Sequence, residues 1–138
     1  MKQIARTICA GLGFERPELS LVITGDLEIQ SLNQQWRGKD KPTDVLSFSQ
    51  VESVDFPFPD MEPLAPEVLG DIVISADTAA AQATKGEYSL EAEYRRLMVH
   101  GVLHLLGHDH VHGGRQAAKM RREEDRLLEL LDGELGVV

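Results

Sequence analysis

Ser89 to His112 reads SLEAEYRRLMVHGVLHLLGHDHVH, and it carries the clearest helical pattern in the chain. Ser89 is a favoured N-cap residue, and Glu91 and Glu93 follow in the first turn, where a carboxylate meets the positive end of the helix dipole. Tyr94, Leu97, Met98, Val102 and Leu105 then recur at three- and four-residue spacing, an apolar stripe of the kind a helix buries against other elements. Gly107 comes just after, and glycine enters a left-handed helix cap at little steric cost. The spacing predicts a helix over 89–106 that stops at Gly107.

Working outward, three runs have strand character and polar or turn-forming flanks: Leu19–Thr24, Val45–Phe48 and Asp71–Ser75. Four further helices are expected. They are the N-terminal stretch to Ala10, Leu27–Trp36 with Ile29, Leu32 and Trp36 in helical phase, Asp77–Ala83 with Asp77 as cap, and Arg115–Leu131 through Met120, Leu127, Leu128 and Leu131. Strands and helices mix without a sustained β-α-β alternation. The expected fold is therefore α+β, a single domain over 1–138 in which a small mixed sheet packs with about five helices.

The chain has 138 residues, 14 Lys+Arg and 23 Asp+Glu, hence a formal charge of -9. That length suits one hydrophobic core. Cys9 is the only cysteine, which excludes a disulfide framework within the chain. No apolar run approaches the ~20 residues of a membrane span, and charge interrupts the N-terminal stretch too early for a secretory signal. A cytoplasmic protein with no membrane partner is the expectation. The acidic balance argues against a nucleic-acid partner, but the acidity is local. Glu52, Asp55, Asp60, Glu62, Glu67 and Asp71 lie in a segment without a basic residue, which also holds Pro57, Pro59, Pro63 and Pro66. Prolines at that density oppose helix and central strand alike, so 52–69 reads as a long acidic surface loop, either a connector or a binding element.

All five histidines fall between His100 and His112. His100 and His104, four apart on the strongest helix, project from one face about a turn apart, close enough to share one ion. With Gly107 and His110 they reproduce the HxxxHxxGxxH spacing of metzincin-type zinc metalloproteases. His108 and His112 are also near enough to complete the set. Imidazole donors suit zinc or another divalent transition metal, and three protein ligands leave a position open for chemistry. Asp109 is placed to orient a ligand imidazole as a hydrogen-bond acceptor. Proteases of that type carry glutamate directly after the first histidine as the general base, whereas this chain has Gly101. Ordinary peptide hydrolysis thus lacks its usual base. The glycine means either close helix packing or room for a substrate.

Asn33 to Ser49 reads NQQWRGKDKPTDVLSFS, a helix end, a basic loop and a strand. Arg37, Lys39 and Lys41 outnumber Asp40 in the loop, and Arg37 is able to fork onto a phosphate. Thr43, Asp44 and Ser47 read as turn and strand-edge residues that hydrogen-bond locally.

Taken together, LNQQWRGKDKPTDVLSF, GDIVIS and HGVLHLLGHDH resemble the YbeY family of bacterial metal-dependent endoribonucleases, from about Leu19 to the final helix. The resemblance implies the metal helix at the centre of the α+β fold, with the metal site on it and the following turn. It implies one zinc ion per chain held by His100, His104 and His110, with Arg37 as the functional arginine and His108, Asp109, Lys39 and Lys41 nearby as second-layer or substrate contacts. It also implies single-stranded ribosomal RNA as substrate, the ribosome or its associated proteins as partner, and a role in maturing the 16S 3′ end and in ribosome quality control. Two residues depart from the family pattern: His108 stands where tyrosine is usual and Ser49 where proline is usual. Two other functions share the histidine spacing. One is a metal-dependent hydrolase of peptides or another substrate, and the other a non-catalytic ribosome-assembly factor with a structural metal.

Overall fold

The computed structural model describes residues 1–50, 67–107 and 114–138. Five helices and three strands follow in the order α1 (Lys2–Gly11), β1 (Pro17–Thr24), α2 (Asp26–Arg37), β2 (Val45–Ser49), β3 (Glu67–Ser75), α3 (Ala76–Gly86), α4 (Leu90–Leu105) and α5 (Gly114–Leu135). No described helix is long and apolar enough to cross a membrane. The sheet order is β1-β3-β2, with β1 parallel and β2 antiparallel to the central β3. The small mixed sheet and five helices match the α+β expectation.

Helix α4 is the hub. Ser89 Oγ accepts from Ala92 N at 3.0 Å, as its cap role requires. Leu97, Met98, Val99, Val102, Leu103 and Leu105 are all buried, more than one stripe, because α4 touches α1, α3, α5, β2 and β3. Each such side chain contributes roughly 1.5–3 kcal/mol on burial. Ile4, Ile8, Ile72, Ile74, Met120, Leu127 and Leu131 complete this core. Gly107 takes a φ of +87°, the left-handed turn expected of it, and its N–H donates to His104 O at 3.0 Å.

Two expectations need correction. Strand β3 begins at Glu67, four residues before Asp71, so 67–69 belong to the sheet and not to the acidic loop; the rest of that expected loop, 52–66, lies outside the described residues. The extension pairs Glu67 and Val68 with Pro17 and Glu18, and a register shift lets Gly70 face Leu19. Gly70 has a φ of +139°, and a Cβ on it would meet Phe48 O at 2.2 Å. Glycine at this irregularity permits close approach to β2 and marks a bulge rather than a strand end. The second correction concerns α3, capped by Ser75 and not Asp77: Ser75 Oγ accepts from Thr78 N at 3.2 Å. Asp77 instead accepts from Asp26 N at 3.0 Å, and Asp26 accepts from the hydroxyls of Ser75 and Thr78, each at 2.6 Å. Asp77 thereby satisfies an orphan backbone donor at the start of α2, while Asp26 holds the hydroxyls of Ser75 and Thr78 at the start of α3.

These contacts generate two predictions. The Ser75 and then the Thr78 hydroxyl hold the Asp26 carboxyl below the usual carboxylate range. A folded pKa below the unfolded one means the stabilisation is complete above the unfolded value of ~3.9 and is lost as pH falls through the folded value. The gap in melting temperature between wild type and Asp26→Asn should therefore be constant near neutrality and narrow below about pH 4. Gly101 on α4 faces the sheet, where a Cβ would meet Ile72 Cδ1 at 3.0 Å. Gly101→Glu would force a carboxylate against a buried isoleucine and should cost at least ~2 kcal/mol in denaturant unfolding, with Gly101→Ala costing less.

Candidate active site

The packing of α4 on the sheet decides which of its faces remains open. Residue 101 points at Ile72, so His100 and His104 turn toward the side where β2 runs alongside. Their ring centroids are 4.4 Å apart and inclined by 52°, and both are half-buried. Strand β2 is fastened to α4 by Ser47 Oγ, which donates to Gly101 O at 3.2 Å, and Ser49 Oγ, which donates to Leu105 O at 2.7 Å. The bond from Ser47 is long-range, which corrects the local role expected of it. Asp44 does act locally, accepting from Val45 N at 2.8 Å, and also lies 3.6 Å from the Arg96 guanidinium on α4.

Between α4, β2 and the end of α2 lies an open cleft of about 490 Å3, lined by His100, His104, Trp36, Arg37 and the run from Thr43 to Ser49. Arg37 is the last residue of α2, which ends because Gly38 takes a φ of +68°. The basic loop leaves from there, held back to the helix by Asn33 Nδ2 donating to Lys41 O at 2.9 Å. Arg37, Lys39 and Lys41 are exposed, but only Arg37 of the three lines the cleft. The structure thus brings Arg37 together with the first two histidines.

Of the other expected site residues, His108, Asp109 and His110 lie outside the described residues, as does His112. Among the described residues no three His, Cys, Asp or Glu side chains converge as a metal site requires. The chemistry of the two histidines fits such an ion, since adjacent imidazoles on one helix face are a donor pair that zinc and related cations accept. Three lining or neighbouring residues are not among the expected site residues. Trp36 is 64% exposed on the cleft wall. Ser49 ties the strand to the helix end. Glu124 of α5 has Oε1 at 4.0 Å from His100 Nδ1. Trp36 alone left a local signal, an aromatic beside an arginine at a helix end; Ser49 and Glu124 reach α4 only through tertiary packing.

Comparison with known proteins agrees with this architecture. The solution structure of a Thermotoga maritima protein superposes with a TM-score of 0.63 at 26% sequence identity, covering 96% of this chain and 79% of that one. The curated Endoribonuclease YbeY of Aquifex aeolicus is 46% identical over 127 residues, 92% of this chain and 79% of its own length. That of Geobacter sulfurreducens is 41% identical over 133 residues, 96% and 85% respectively. Residues 1–132 match the family described as Endoribonuclease YbeY. With a resemblance that spans the arginine segment, the central strand and the histidine helix, the chain belongs to the endoribonuclease YbeY family.

Proposed function

We propose that this chain is a zinc-dependent endoribonuclease, specific for single strands, that matures the 3′ end of 16S ribosomal RNA and serves ribosome quality control in the cytoplasm. The supporting observation is the cleft itself, in which an arginine suited to phosphate and a pair of imidazoles suited to a metal meet from separate segments of the chain. Family membership makes RNA phosphodiester hydrolysis the chemistry to be explained.

In this reading His100, His104 and His110 hold one zinc ion, with Asp109 orienting a ligand imidazole and His108, Lys39 and Lys41 close to the substrate. When bound, zinc supplies a Lewis acid beside the scissile phosphate and a means of activating water. Arg37 donates paired hydrogen bonds to phosphate oxygens and offsets the charge that grows on them as the phosphorus centre is attacked. Ser47 and Ser49, by bonding Gly101 O and Leu105 O, keep the strand wall and the histidine helix in register, so that the reacting groups stay aligned. The net charge of -9 keeps free-solution affinity for RNA weak and salt-sensitive, which leaves presentation of the strand to the ribosome or a bound partner. Peptide hydrolysis is disfavoured by the packing at Gly101. A glutamate base at that position would point into the sheet at Ile72.

Cleavage of a single-stranded RNA should disappear when the metal is stripped with a chelator and return on adding zinc. His104→Ala should lose both zinc, by metal analysis, and cleavage. Arg37→Ala should keep its zinc content and melting temperature while kcat falls by about 10²–10³, the usual loss for removing one electrostatic stabiliser of a transition state. An Arg37→Ala protein that cleaves like wild type would overturn the role given to that side chain. Retained ribosome association without any cleavage by wild type would instead favour an assembly factor with a structural metal.

A further inference from the structure

We propose that Trp36 is the seat of an unpaired nucleobase, which stacks on its indole while Arg37 holds an adjoining phosphate. The inference rests on the endoribonuclease reading and narrows the substrate to strands that present a free base at the cleft. Trp36 is the chain's only tryptophan and is 64% exposed, although an indole buries 150–250 Å2 when used for packing. It is nevertheless held in place. The Phe48 ring meets it edge-on, with centroids 5.9 Å apart and planes inclined by 68°. Phe48 in turn packs on the buried group of Ile29, Leu46 and Val73. The indole is therefore braced by Phe48 while most of its surface stays exposed, on a cleft whose lining also includes Arg37, His100 and His104.

An aromatic surface kept out of the core and fixed beside a guanidinium has the chemistry of a single-strand binding platform, where bases stack and the backbone meets positive charge. Every base has a π-face, so such a platform tolerates sequence variation. A base inside a duplex is already stacked on both sides and cannot be offered to it. Preference for single strands then follows from the wall of the cleft, independently of the metal.

Because no other tryptophan is present, intrinsic fluorescence reports on this residue alone. The full chain should be titrated with a short 2′-O-methyl phosphorothioate single strand, which resists cleavage, and with the same sequence as a blunt duplex. Quenching by the single strand and not by the duplex is expected. Anisotropy of the end-labelled single strand should show Trp36→Leu binding about 5- to 150-fold more weakly, the equivalent of stacking one base. Trp36→Phe should recover most of that loss, and on cleavable RNA the Leu variant's defect should fall on KM more than on kcat. Absent quenching, equal quenching by the duplex, or unchanged affinity in Trp36→Leu would overturn the stacking role. If wild type still cleaves RNA under those results, the endoribonuclease reading stands without it; a wild type that neither binds nor cleaves RNA overturns both.

Discussion

Everything near the cleft depends on how closely α4 lies on the sheet. Gly101 permits that distance, because a Cβ there would press on the Ile72 side chain, coming to 3.0 Å from its Cδ1. A helix interior gives up on the order of 1 kcal/mol by using glycine in place of alanine. The close approach offsets it by bringing the β2 serines within hydrogen-bonding reach of carbonyls along α4. The face holding residue 101 is thereby committed to the core, and His100 and His104 are left on the part of α4 that lines the cleft. One contact thus settles both the packing of the hub helix and the direction of its chemistry.

The same arrangement explains why a protease-like histidine spacing serves a different purpose. Spacing along a helix depends only on helical phase, so HxxxH recurs wherever a metal is gripped from one face. What the intervening position does depends on the surface that the helix is laid against. In this fold it meets a buried isoleucine, and the carboxylate beside the histidine pair comes from elsewhere: Glu124 approaches His100 from α5. The rest of the cleft wall is built by other segments, with Trp36 and Arg37 lining it at the end of α2, whereas Lys39 and Lys41 do not line it.

Charge shows the same division between local pattern and spatial result. The surplus of acid over base in the whole chain describes solubility and long-range repulsion, not the cleft, because a Debye length of ~8 Å at physiological salt lets nearby groups dominate. Among the described residues that line the cleft, Arg37 and Asp44 carry formal charge, the latter facing Arg96 on α4. A buried Arg95 bonded to Asp132 and Gly136 O likewise does structural work, fastening the end of α5 to the hub.

Helix positions were legible in the sequence because capping, dipole and apolar period act within a few residues; Ser89, Gly107 and the α4 stripe behave as their types dictate. The histidine pair was legible for the same reason, and the pairing of that motif with the arginine segment through resemblance to a family. Local signals mislead where a distant partner overrules them. The start of β3 was hidden because Pro66 and Gly70 look like breaks until β1 supplies the register that accommodates a bulge. Asp77 looked like a cap until Asp26 claimed its carboxylate, and Ser47 looked like a local turn residue until Gly101 O came within reach. The sequence by itself determined the elements and the chemical types available to the site. Only the tertiary structure decided that Trp36, Arg37, His100 and His104 share one cleft, since that depends on the depth at which α4 seats on Ile72, a contact between residues far apart in the chain.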